Sequence, residues 1–317
     1  MAVLVVTLLG GAWAQGTTAC LPAADRAVVA EARSTIERRG PLLWPGWREA
    51  PPVLLRGEGE DCLLDHPEPP EDFVAGEDGV HRRSGHLLPV PVATAYPVGS
   101  RWSVVVPLRT EVQALLDQRI GPGALVLDDL VYRRVLVHEA FHAHQMTVVG
   151  GPGGVPAFGD DARATPSLEA LAAVPGHAAA LDRQGAALQS ALRAGSIGEA
   201  RRAGRRFLAA RDAWRSTAPP GTAGVERQLE WIEGTARYVD VLAALAPAGG
   251  ETWSDLLTQL EAPSEVPTGP RDAYAALGAG QAFLLDRLLP SWKGRVLPGG
   301  EALEDVLRDA VSERTAG

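Results

Sequence analysis

Lysine is almost absent from this sequence: Lys293 stands alone among 30 basic residues, and 39 acids leave a net charge of −9. A protein that binds nucleic acid must neutralise phosphates with clustered basic side chains, so this balance argues against that class of partner. Cysteine is nearly as scarce, with only Cys20 and Cys62. Beyond the amino terminus no apolar run approaches the roughly 20 residues that a membrane-spanning helix needs, so no stable membrane insertion is expected. Arginine, by contrast, is abundant alongside Ala, Gly and Pro. That is a compositional bias of a GC-rich coding sequence, and it warns against giving each arginine a role.

What remains is an ordinary globular composition, 46% hydrophobic and 22% charged over 317 residues, enough for one large domain or two modest ones. Residues 2–9 are apolar apart from Thr7, and Ala12-Trp13-Ala14 offers a small-x-small cleavage site before Gln15. No Lys or Arg precedes the run. The expectation is a secretion signal over 1–14 and a secreted or periplasmic protein. In such a compartment Cys20 and Cys62 read as one disulfide. Neither has a second Cys or His at ligand spacing beside it, which argues against a metal role. Acylation of Cys20 is the weaker reading, because Thr17-Thr18-Ala19 matches a lipoprotein lead poorly.

Residues 15–100, rich in Pro, Gly and acids, predict an irregular region with one helix (23–39) and short strands. Residues 101–108, with Val104-Val105-Val106, predict the best strand, and 110–118 a short helix. Helices then dominate: 128–149, capped by Asp128 and stopped by the glycines of 150–154; 168–193, with a break at Pro175-Gly176; 197–216; 225–245; 253–260; 271–288; and 301–313. Strands early and helices late predict an α+β fold.

The chemistry concentrates in His138-Glu139-Ala140-Phe141-His142. At about 100° per residue, His138 and His142 fall about 40° apart on one helical face, one turn from each other. Two imidazoles so placed can share a zinc ion. Glu139, about 100° around, can reach a water on that ion and act as general base. His144 lies about 240° around from His138 and is set against a ligand role. Gln145 returns to the metal face, either as a contact to a ligand or as a polar boundary residue.

A catalytic zinc takes three protein ligands. The candidates for the third lie in 226–240, where Glu226, Glu230, Glu233, Arg237 and Asp240 share about 80° of helical arc. A solvated acidic stripe is the plain alternative, although Trp231 and Ile232 speak for burial. His138-Glu139-x-x-His142 followed by Trp231-Ile232-Glu233-Gly234-Thr235-Ala236-Arg237-Tyr238-Val239-Asp240 resembles the gluzincin peptidases. The second block is similar to the Trp-Leu-Asn-Glu-Gly-Phe-Ala-x-Tyr-Val-Glu segment of the alanyl aminopeptidase branch, with one residue fewer between Trp231 and Glu233. The resemblance implies that Glu233 is the third zinc ligand, with Glu230 the fallback. It covers only the two metal helices. The stretch from His142 to Glu233 is longer than in those enzymes, and a Gly-Ala-Met-Glu-Asn motif is missing, so aminopeptidase specificity is not implied.

Tyr274, on a helix of small residues, is the first choice to steady an oxyanion, and Tyr238 is its rival; a packed tyrosine is the plain reading of either. Asp240 could orient a ligand histidine or sit at the surface. His66, His81, His86 and His177 read as ordinary surface histidines. The arginines at 201, 202, 205, 206, 211 and 215 read as a solvated helix face. The expectation is thus a zincin-like domain over 101–317, with a small N-terminal sheet, an active-site helix and a mainly helical C-terminal half. It would be a zinc metallopeptidase acting on a peptide or protein substrate. A zinc hydrolase of another substrate and a non-catalytic zinc-binding module are the rivals, and Glu139 speaks against the second.

Overall fold

The computed structural model describes residues 20–76, 79–124, 126–158, 166–248, 250–266 and 269–312; the expected signal at 1–14 and Gln15 lie outside them. The fold is α+β, in two compact units, Met1–Pro152 and Gly153–Gly317.

The first unit is built on a six-stranded sheet in the order β3-β4-β2-β1-β6-β5, with α1 (Ala23–Leu43) and α3 (Asp129–Val149) packed together and α3 against β6. Its strands are β1 (Val53–Arg56), β2 (Glu60–Leu64), β3 (Val74–Ala75), β4 (His81–Ser84), β5 (Thr94–Val98) and β6 (Arg101–Pro107). Only β1 and β6 run parallel, in the register Val53↔Val104 to Arg56↔Pro107. Successive side chains of a strand point to opposite faces. Val53 and Val104 accordingly meet Val29, Ala32 and Ile36 of α1 and Leu136 and Ala140 of α3. Leu54, Leu63, Val98 and Val105 form a second cluster with Phe73 on the other face. The region 15–100, read as irregular with short strands, supplies five of the six strands, and they pair into one sheet with β6. Cys20 and Cys62 are joined, tying the start of α1 to β2 across 42 residues.

α2 (Arg109–Ile120) leads into α3, whose ends follow from local chemistry. The Asp128 carboxylate accepts from the Val131 amide at 2.8 Å, and Gly150 closes the helix at φ 75°, where a residue with a Cβ would be strained. The Tyr132 hydroxyl donates to the Pro107 carbonyl at 3.0 Å, and Phe141 packs against Trp44 and Trp47 with ring centroids 5.0 and 5.4 Å away. These contacts fix how α3 rolls, and so which face its histidines present.

The described part of the second unit is helical: α4 (Leu168–Ala172), α5 (His177–Arg193), α6 (Ile197–Arg215), α7 (Thr222–Leu229), a π-helical turn (Glu230–Gly234), α8 (Thr235–Ala248), α9 (Gly250–Glu261), α10 (Pro270–Leu288), α11 (Lys293–Val296) and α12 (Leu303–Ser312). The break expected at Pro175-Gly176 separates α4 from α5. α6 opens with a capping box between Ser196 and Glu199. α10 is the central helix, buried all round from Ala273 to Leu285, as befits a helix with no polar face. Among the described residues no helix is long and apolar enough to cross a membrane.

Candidate metal centre

Within the first unit, α3 brings together His138, Glu139 and His142. The two Nε2 atoms are 3.1 Å apart, with the rings nearly perpendicular at 84°. The Gln145 carbonyl oxygen lies 2.7 Å from His142 Nδ1. A carbonyl only accepts, so Nδ1 carries a proton, and in the neutral ring that arrangement puts the lone pair on Nε2. Nitrogens bound to one tetrahedral zinc at about 2.0–2.1 Å stand about 3.3 Å apart. The observed spacing is close to that, and the hydrogen bond to Gln145 sets the tautomer a metal requires. Glu139 and His142 are each 8% exposed and Gln145 1%, while His138 is half-buried and open in part to solvent. His144 turns to the other side, stacked 5.7 Å from Trp47, and desolvation lowers its pKa to about 4, a neutral packing residue.

Glu233, Tyr238 and Tyr274 belong to the second unit. The π-helical turn, in which backbone bonds run i to i+5, interrupts the regular 100° progression of the helix expected over 225–245. It separates the acids into two sets. Glu226 accepts from Trp214 Nε1 at 3.0 Å and Arg215 Nε at 2.6 Å. Glu230 is held through both oxygens by the Arg211 guanidinium, 2.7 Å to Oε2. That fork occupies the fallback ligand. Glu233 accepts instead from Arg271 of α10, and Asp240 lies 3.6 Å from Arg237. All four acids are buried, which removes the solvated stripe.

A close crossing holds the turn. A Cβ on Gly234 would stand 2.5 Å from the Cα of Gly278, so the turn and α10 touch backbone to backbone. Trp231 Nε1 donates to the Val296 carbonyl at 3.0 Å, and Thr235 Oγ1 to the Trp231 carbonyl at 2.6 Å.

Both tyrosines are buried with their hydroxyls engaged. Tyr238 donates to Asp286 at 2.7 Å, and Tyr274 shares a hydrogen bond with His177 Nε2 at 2.9 Å. Burial, then the charge of Asp286 for Tyr238 and of Glu226 for Tyr274, raises both phenols above their ordinary range. Two of the histidines read as surface residues are core residues instead. His66 donates from Nε2 to the Val98 carbonyl at 2.8 Å, and His177 is 3% exposed. His86 pairs through Nδ1 with the buried Asp61 at 3.0 Å.

The arginine run keeps its expected solvated face at Arg202, Arg205 and Arg206 and departs from it at Arg211 and Arg215. Arg211 is fully buried, and Arg215 reaches Glu304 at 2.7 Å. Burial opposes the charge of Arg211, but the carboxylates of Glu230, Glu226 and Glu304 outweigh it and keep the guanidinium cationic. Burial would likewise raise Glu304, yet Arg211 and Arg215, a hydrogen bond from Arg308, and Arg227 bring it to about 2. The readable signal was position. Arg211 continues the buried stripe Ala200, Ala203, Gly204, Phe207, Leu208 and ends it with Trp214, at 3–4 residue spacing. Family models, curated proteins and solved structures yield no match to this chain.

Proposed function

We propose that the protein is an exported zinc hydrolase of zincin-like arrangement that cleaves peptide bonds. The reading is carried by the α3 pair: two Nε2 atoms 3.1 Å apart, the tautomer of one set by Gln145, with a buried carboxylate at the next residue, Glu139. Within the first unit His138 and His142 offer two ring nitrogens, and the gluzincin resemblance adds the carboxylate of Glu233 as the third ligand. Two imidazoles with one carboxylate form a donor set that suits a catalytic zinc with a position left for water.

When bound, zinc supplies Lewis acidity, polarising a carbonyl and lowering the pKa of a water to about 7. The chain's own residues do the rest. Glu139 takes the proton of the attacking water on its carboxylate and delivers it to the nitrogen of the leaving amine. Gln145 holds the His142 ring through Nδ1, and Arg271 steers the Glu233 carboxylate. With both tyrosine hydroxyls engaged in the second unit, the oxyanion role is assigned to neither. A site that kept zinc for structure has no use for a buried base beside its ligands, which favours catalysis over a binding module. The Cys20–Cys62 disulfide suits an oxidising compartment.

Metal analysis of the purified chain should give about one zinc per molecule, with severe loss in His142→Ala and Glu233→Gln. Full zinc in Glu233→Gln would remove that residue from the site. Chelator-sensitive cleavage of a broad peptide library, restored by zinc, is the matching activity; hydrolysis of esters alone would move the substrate class.

A further inference from the structure

Glu233 sits near the end of a π-helical turn, a backbone form with no intrinsic favour that persists where surrounding contacts hold it. The first residue of that turn is Glu230. Its carboxylate is gripped by the Arg211 guanidinium as a fork on a fork, both partners at 1% exposure or less. Arg211 is itself fixed from the other side, with Nε donating to Gln184 Oε1 at 2.9 Å and Nη1 lying 3.5 Å from Glu304. The clamp therefore ties the turn to α5, α6 and α12 at once. The Gly234–Gly278 crossing packs the other end of the turn against α10 backbone to backbone, and Arg271 of α10 holds the Glu233 carboxylate itself.

From this geometry we infer that Arg211 is a positioning residue for the metal ligand Glu233, acting through Glu230. The inference rests on Glu233 being a zinc ligand. Glu304 keeps Arg215, Arg227 and Arg308 when Arg211 is replaced, so among the acids the loss falls on Glu230. Arginine is required because a lysine ammonium cannot span both carboxylate oxygens.

The test uses the full chain with three variants: Arg211→Met, Arg211→Lys and the double variant Arg211→Met/Glu230→Met. Replacing both members of a buried pair with apolar residues of similar volume tends to preserve stability, whereas removing one does not. Zinc affinity is read by competition with a chelator, thermal midpoint by calorimetry, and amide exchange over 230–235 with and without zinc. The double variant should melt near wild type yet bind zinc about 10–100-fold more weakly, the usual effect of losing a ligand's support. Arg211→Lys should weaken zinc binding and speed exchange over 230–235 with little change elsewhere. Arg211→Met should do both and melt earlier. Wild-type zinc affinity in a folded double variant or in Arg211→Lys, with unchanged exchange, overturns the inference and leaves the zinc reading intact. Wild-type protein that holds no zinc contradicts the zinc reading itself, and the inference falls with it.

Discussion

Replacing Gly278 with alanine probes the crossing on which the Glu233 turn depends. A Cβ there would lie 2.7 Å from the Cα of Gly234, 2.9 Å from the carbonyl oxygen of Glu230 and 3.0 Å from its Cα. All three are backbone atoms, so no side-chain rotation relieves the clash. Ordinary carbon contacts lie at about 3.5–4.0 Å, so α10 and the turn must part by about 1 Å. Alanine gains about 0.8–1 kcal/mol over glycine in a helix interior, which would stabilise the variant if the space were open. Overpacking of a tight site costs about 1–3 kcal/mol, and a clash with rigid backbone belongs at the upper end. The net expectation is a loss of about 1–2 kcal/mol, read as a lower urea midpoint at unchanged slope. Zinc affinity should fall in the same variant, because the shift moves the backbone that carries Glu233. A Gly278→Ala protein as stable as wild type, with undiminished zinc affinity, would refute the close-crossing argument.

Three further outcomes follow from other parts of the molecule. Amino-terminal sequencing of exported protein should begin at or near Gln15 with Cys20 and Cys62 joined; free thiols at both positions in native protein contradict this. Replacing both cysteines with alanine should cost up to about 4 kcal/mol in a chain-entropy account of a crosslink spanning 42 residues, and an unchanged denaturation midpoint would refute it. The Glu304 carboxyl, at about 2 in the fold against an ordinary 4.5, contributes stability that is complete above pH 4.5 and is lost as pH falls towards 2. That contribution is about 3 kcal/mol, so the stability gap between wild type and Glu304→Gln should be wide at pH 6 and shrink to about a quarter of that at pH 2.5; an equal gap at both sinks the network's electrostatic role.

The helix α3 was legible because everything that defines it is local. Asp128 caps it, Gly150 ends it, no proline or glycine interrupts it, and the four-residue step from His138 to His142 fixes their shared face. Val104-Val105-Val106 announced β6 in the same way, and Pro175-Gly176 announced a helix break. The early sheet was harder to read. Its strands from β1 to β5 are no longer than five residues, and β4 is His81-Arg82-Arg83-Ser84, whose pairing comes from its neighbours rather than from apolar alternation. The π-helical turn had no signal of its own. Residues 225–245 carry a continuous helical pattern, and the extra residue per turn is held by distant partners, Arg211 and Gly278. Arg211 was misread because an arginine-rich composition made a buried one look ordinary, although its place on the stripe with Phe207 and Trp214 marked it.

The central claim is that Glu139 moves protons beside a zinc held by its neighbours. Glu139→Gln keeps the side chain's shape and still hydrogen-bonds water, but it cannot accept a proton. Zinc content and thermal midpoint should match wild type, while turnover of any cleaved peptide should fall by about 10²–10⁴-fold, the range expected when a general base is lost. Undiminished turnover in a zinc-loaded Glu139→Gln protein would contradict the account and leave α3 as a metal-binding helix without the assigned chemistry.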